Sequence, residues 1–391
     1  MSGSHTAGGF DDLSLALLRT RKSVKWTQYE PDVLPVWVAE MDFELARPVH
    51  EVLLEAVSRG DLGYPNSEPL GEAFAAFAHA RWGWSVDPTH VYAVSDVVTG
   101  IAEVLKVVTQ PGDEVVVNSP VYAPFFSTIA SVDRRVVNVP LGVIDGRPTI
   151  DLDGLEEAFT AGARAYLVCH PHNPTGLVLG RREVEAIADL CAKYDVAIIS
   201  DEIHAPLTHL DTEFVPFASL GDDRCARVIA LTSASKAWNL AGLKCALIVA
   251  GSPAAATELN GLPESLRYHV GHLGVLASLA AYREGTPWLD ECVAHLASNR
   301  ALLSTLVAAN LPGVRYVEPA AGYLAWLDFR DTGLGVEPAD VLHTLGRVAL
   351  TAGGPMGEGG QGHARLNFGT SGEIIAEAVA RIASVLDRPN P

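Results

Sequence analysis

Basic residues are scarce in this chain: 28 Lys and Arg stand against 47 Asp and Glu, a formal net charge of -19. No Lys/Arg-rich block reverses that balance locally, so nucleic acid and anionic membrane surfaces are repelled and neither is an expected partner. Cysteine is also sparse. Cys169, Cys191, Cys225, Cys245 and Cys292 are odd in number and lack C-x-x-C spacing, which suggests neither a disulfide framework nor a zinc site and fits a reduced, cytoplasmic setting without metal. No apolar run reaches the ~18 residues of a membrane span. The first ten residues, MSGSHTAGGF, lack the apolar core of a secretory signal. Internal repeats are absent, and the one glycine-dense tract, GGPMGEGGQG at 353–362, reads as a flexible hairpin.

What is present is a long, apolar chain. With 391 residues, 48% hydrophobic content and a mean hydropathy of +0.19, it can bury a large core shared between two domains, and a small molecule is the expected substrate. After a flexible leader and a short amphipathic helix near 13–20, the periodicity predicts helices at 48–58 and 71–81. Strands follow at 91–94, 114–117, 136–139, 165–169, 196–200 and 227–231, with helices from 97, from 124 and at 182–194. Such alternation predicts an α/β fold with a mostly parallel sheet covered on both faces. Past 247 the pattern turns to helices, at 269–282 and 288–309, before strands at 323–329 and 364–368 and helices at 338–347 and 373–386. The expected division is a 1–45 N-terminal segment packed on the small domain, a large domain at 46–285 and a smaller α+β domain at 286–391.

The chemistry centres on LTSASKAWNLAGLK at 231–244. Lys236 lies just past the end of a buried strand among small residues, at the sheet edge where ligands bind in open α/β folds. An amine in a partly apolar pocket has a lowered pKa and can form a Schiff base with a carbonyl cofactor. Read alone, the motif equally allows an ordinary surface lysine. Ser95-Asp96 before the apolar period from Val97 and Val98 gives a strand, a tight turn and a helix N-terminus, a phosphate cradle or simply a capped buried helix.

The order of features is more telling. HNPTG closes one strand, SDEIH places Asp201 at the end of the next, and SASK follows on a third. This arrangement resembles fold type I pyridoxal phosphate enzymes along essentially the whole chain. WVAEMDF, GYP, HNPTG, SDEIH, SKAWNLAGLK, GYLAWLDFR and RLNFG together resemble the MalY/PatB-type cystathionine β-lyases of the aminotransferase class I/II group.

The resemblance implies a large domain on a seven-stranded, mostly parallel sheet, a pyridoxal 5'-phosphate cofactor and a homodimer with composite sites. It further implies that Lys236 forms the internal aldimine and removes the Cα proton, and that Asp201 pairs with the pyridine nitrogen. Asn173 and His204 would lie by the ring oxygen and Tyr122 on the ring face. Val97, Val98, Ser233, Ser235 and Lys244 would take the phosphate, with Tyr64 reaching that of the other subunit. Arg365 would hold the substrate carboxylate, with Trp37 and Ala39 beside the substrate. Taken without the resemblance, Asp201 could cap a turn, Asn173 could serve an Asn-Pro turn, His204 and Tyr122 could be interior residues, and Arg365 could form a structural ion pair.

The implied activity is β-elimination from a cysteine S-conjugate through a quinonoid, giving thiol, pyruvate and ammonia. An aminotransferase and a decarboxylating, oxidatively deaminating enzyme are the alternatives on the same residues; a non-catalytic regulator would not need Lys236, Asp201 and Arg365 together. The chain departs from the family pattern at Asp96, usually glycine, at Ala237-Trp238 for Thr-Phe, at Lys244 for Gln, and at Thr370-Ser371-Gly372 for Cys-Pro-Arg. These departures imply an altered pocket.

Overall fold

The computed structural model describes residues 10–388 apart from 12 and 145, so most of the expected leader lies outside the described residues. Seven strands form the large sheet, in the spatial order Val91–Val94, Ala246–Ala250, Val228–Thr232, Ala197–Asp201, Ala165–Cys169, Glu114–Val117 and Arg135–Asn138. Neighbours from Val228–Thr232 to Arg135–Asn138 run parallel, and Ala246–Ala250 is antiparallel to both of its neighbours. AYLVC, AIISD, VIALT and ALIVA are buried throughout, as strands covered on both faces must be. Alternation decides the face: Ile198, Leu247 and Val249 join one core, while Ala197, Ile199, Ala246 and Ile248 join the other.

Ala246–Ala250 corrects the expectation that helices begin past 247. A five-residue apolar run carries no period that distinguishes a buried strand from a buried helix. Other elements fall within a few residues of expectation, including helices Arg47–Arg59, Pro69–Trp82, Val97–Val108 and Arg181–Lys193. The glycine-dense tract is not a free hairpin. It makes a 3-10 turn at Gly354–Met356 and docks on the large sheet's loops, with Met356 O accepting from Val121 N and the Gly357 backbone too close to Phe126 and Ser119 to admit a Cβ.

A second, antiparallel sheet orders Arg315–Tyr316, Leu324–Asp328, His363–Asn367 and Thr351–Ala352. Ala325, Leu327, Ala364 and Leu366 join the same core as the apolar faces of helices Thr286–Asn310, Pro338–Gly346 and Gly372–Leu386. Thr286–Asn310 is long and apolar enough to cross a membrane by length and composition. Here it lies against Gly372–Leu386, and its Arg300 pairs with Asp211 and Glu318. At the other end of the chain, Leu34–Pro35 pairs in parallel with Val348–Ala349 and ties the N-terminal segment to this unit.

That segment is anchored by a buried ion pair. Lys25 Nζ lies 2.8 Å from Asp42 Oδ2, each side chain 1% exposed, and Trp26 Nε1 donates to the other carboxylate oxygen at 3.2 Å. Removing one partner of a buried pair strands the other charge, at a cost of roughly 3–5 kcal/mol. Asp42→Asn is therefore expected to lower stability by about that amount, read from the denaturant midpoint at unchanged slope.

Candidate active site

The strands deliver their polar ends to one place. Register sets Cys169 beside Asp201 and Asp201 beside Leu231, and the chain leaving Thr232 turns at once into the short helix Ala234–Ala237 that carries Lys236. On the far side of Ala246–Ala250, Val94 leads through Ser95 and Asp96 into helix Val97–Val108. Gly100 lets that helix lie close to the sheet, since a Cβ there would meet Leu231 Cδ2 at 2.6 Å. These ends enclose a cavity of about 530 Å³ lined by Ala39, Val97, Val98, Tyr122, Asn173, Asp201, His204, Ser233, Ser235, Lys236, Lys244 and Arg365, among others. Twelve of the fourteen residues expected at the site thus share one wall.

The other two stand elsewhere. Tyr64 is 86% exposed, edge-on to Tyr268, and does not line this chain's cavity; its expected place was the other subunit's phosphate. The Trp37 side chain packs edge-on against Tyr29 instead of lining the cavity, and what it offers is its carbonyl. Ser233 lines the cavity, but its hydroxyl is committed: it donates to Cys245 O at 2.6 Å and accepts from Ser235 N at 3.0 Å. It caps the lysine helix and leaves Ser235 as the available hydroxyl.

Burial sets the protonation states. Loss of solvation, with Arg365 nearby, lowers the Lys236 amine to about 8 even though Asp201 and Glu40 pull the other way. Burial lifts Asp201 to about 7 against the Ile203 N–H and Lys236, and brings Arg365 down to about 10. His204 falls to about 3, so its ring is neutral. The HNPTG loop is fixed by two further neutral histidines: His170 Nε2 accepts from Leu179 N, and His172 bridges Thr175 Oγ1 and Asn118 O.

Asn173 and Arg365 orient one another. Arg365 Nη1 donates to Asn173 Oδ1 at 2.7 Å, and because a guanidinium can only donate, the Asn173 amide must present its NH₂ toward the cavity. Arg365 Nη2 is held by Thr351 Oγ1 at 3.2 Å, and Thr351 Oγ1 donates in turn to Trp37 O at 2.7 Å. Thr351 was not legible in the sequence; it lies directly across the strand pair from Arg365.

The departures from the family pattern separate cleanly. Trp238 is fully buried, packs against Phe77 and Tyr282 and donates to Gly285 O; Ser371 caps helix Gly372–Leu386. Neither lines the cavity; of the departures, only Asp96 and Lys244 do. Asp96 caps its helix through Thr99 N at 2.8 Å and pairs with Lys244 at 3.2 Å. Burial opposes its charge, but these two partners prevail and hold the carboxyl below its usual range.

The aminotransferase class I and II profile matches residues 25–382. The chain belongs to that family. Within it, a candidate cystathionine beta-lyase of Mycobacterium tuberculosis is 45% identical over 97% of this chain and 98% of its own. The cystathionine beta-lyase PatB of Bacillus subtilis is 33% identical over 93% and 97%. Among solved structures, a candidate PLP-dependent beta-cystathionase of Corynebacterium diphtheriae is 36% identical, with a TM-score of 0.92 over 97% of this chain and 99% of that one.

The donor set fits the cofactor of this family. A buried amine, a buried carboxylate, an amide with its NH₂ inward, a helix N-terminus at Val97 and Val98 and a serine hydroxyl are the groups an aldehyde, a ring nitrogen, a ring oxygen and a phosphate require.

Glu202, beside Asp201, is 2% exposed and accepts from Ser200 Oγ and Phe217 N. Burial lifts its carboxyl from 4.5 to about 8. The folded chain therefore holds a proton that the unfolded chain has released, and stability falls as pH rises between those values. Glu202→Gln keeps both acceptor bonds, so the cofactor-free variant is expected to melt several degrees higher than the parent at pH 9 and level with it near pH 4.

Proposed function

We propose that this chain is a pyridoxal phosphate-dependent carbon–sulfur lyase that cleaves the Cβ–S bond of a cystathionine-like cysteine S-conjugate, releasing thiol, pyruvate and ammonia. The convergence of Lys236, Asp201, Asn173 and Arg365 on one buried cavity carries this reading. Pyridoxal phosphate, when bound, supplies an electron sink for the charge that develops at the substrate Cα.

The remaining work falls to the chain. Lys236 is the amine that would hold the cofactor's aldehyde carbon, and Asp201 would keep a proton on the ring nitrogen. Val97 and Val98 N–H groups, the Ser235 hydroxyl and Lys244 would take the phosphate, with Tyr122 against the ring and Asn173 and His204 on its oxygen side. In a homodimer, Tyr64 of each subunit would reach the phosphate of the other. Arg365 presents a planar fork to the substrate carboxylate beside Ala39.

Once free, Lys236 takes the Cα proton, and its lowered pKa leaves much of the amine neutral near pH 8. The Cβ–S bond then breaks, the sulfur leaves with the bonding pair and takes up a proton, and water converts the three-carbon remainder to pyruvate and ammonia.

Purified protein given cystathionine and several S-substituted cysteines is expected to release thiol and pyruvate in equal amounts without an added 2-oxo acid. Turnover that requires a 2-oxo acid and frees no thiol would make it an aminotransferase. Arg365→Lys keeps the charge but loses the fork, and is expected to raise KM about tenfold or more while the cofactor's visible band is retained.

A further inference from the structure

Two buried donors converge on one backbone oxygen. Lys236 Nζ donates to Ala39 O at 2.8 Å, and Tyr323 Oη donates to the same oxygen at 3.1 Å. Tyr323 is 0% exposed and does not line the cavity, so it reaches the lysine only through that carbonyl. Its ring is fixed by Gly369, where a Cβ would stand 3.2 Å from Tyr323 Cδ2, and it lies edge-on to His204. The Ala39 carbonyl cannot turn away, because the carbonyls on either side are themselves held: Asn367 Nδ2 donates at 2.7 Å to both Val38 O and Glu40 O.

We propose that Tyr323 is a positioning residue for the reaction: through the Ala39 carbonyl it fixes where the released Lys236 amine rests and how readily that amine takes a proton. This rests on the reading of Lys236 as the base that removes the Cα proton. The hydroxyl hydrogen of Tyr323 brings a positive dipole end to the same oxygen that stabilises the lysine ammonium. It competes for that oxygen's electron density and disfavours the charged amine.

The other groups that act on Lys236 come from every element around it: Arg365 from the small sheet, Asp201 from the central strand, Glu40 from the N-terminal segment and neutral His204 from the loop after Asp201. Asp96 and Lys244 line the same cavity as a pair. None of these is removed by Tyr323→Phe, which deletes only the oxygen and keeps the ring packing.

The test reads the amine directly. The full chain freed of cofactor is labelled with an amine-acylating reagent across a pH series, and Lys236 modification is followed by mass spectrometry. Tyr323→Phe is expected to move the Lys236 midpoint upward by about half to one pH unit, while replacement of Tyr323 by 3-fluorotyrosine, a stronger donor, moves it downward. In the loaded enzyme, where the amine is released only with substrate bound, the acid-side limb of kcat shifts in the same directions. Midpoints that stay together, or that move in the reverse order, would overturn the role of Tyr323. Absence of thiol release by the parent protein would instead overturn the lyase reading and leave the labelling result standing.

Discussion

The structure depends on a strap of six residues that makes a single backbone hydrogen bond within itself, Glu40 N to Val38 O. From Trp37 to Asp42 the backbone runs outside any regular strand beside the small sheet and the lysine loop, and every carbonyl in the run accepts from a side chain. Thr351 and Arg365 hold Trp37, Asn367 holds Val38 and Glu40, Lys236 and Tyr323 hold Ala39, Asn239 holds Met41 and Arg21 holds Asp42. A carbonyl removed from water without a partner costs about as much as a lost hydrogen bond, so an irregular, partly buried segment must borrow its donors. The donors come from the N-terminal segment, the lysine loop and the small sheet, which makes the strap the point where separate parts of the chain meet. Two of the borrowed donors, Lys236 and Arg365, are also residues the proposed reaction uses.

The second constraint is electrostatic. Arg365, Lys236 and Lys244 bring positive charge to the cavity, and Asp201 and Asp96 oppose it. Burial acts on both signs, lowering the lysine and arginine and raising Asp201. Ligands carrying a phosphate and a carboxylate complement such a site, since each anion meets cations or N–H groups, with Lys236 and Arg365 already deprived of water. Asp96 runs against this trend, and its bonds to Thr99 N and Lys244 keep its charge occupied at the helix start.

Much of this was legible in the sequence because local rules and function point the same way. Apolar strands ending in polar residues singled out Asp201, Asn173 and Lys236 as candidates, and the motif order led to the family. What escaped reading depends on distance along the chain. Ala246–Ala250 was too short a run to declare its period. Tyr323 and Thr351 look like ordinary strand residues until register and the strap bring them to Ala39 and Arg365, nearly 300 positions away in the first case. Asn239 and Asn367 stood inside recognised motifs, yet their use as carbonyl holders required the strap to be seen. Trp238 misled for the opposite reason, since its place beside the lysine in sequence implied the pocket and its bulk took it into the core.

The strap also offers the most direct test. Val36, Glu40, Met41 and Asp42 donate their amides to Ala349 O, Val38 O, Asn239 Oδ1 and Gly369 O. Hydrogen exchange of residues 36–42 in the full chain, followed by mass spectrometry, measures whether that segment opens by itself. Protection equal to that of the buried strand His363–Asn367 is the predicted result. Exchange as fast as that of the exposed strand pair Gly142–Ile144 and Arg147–Thr149 would contradict the account, because a wall that opens freely could not hold Lys236 and Arg365 in place.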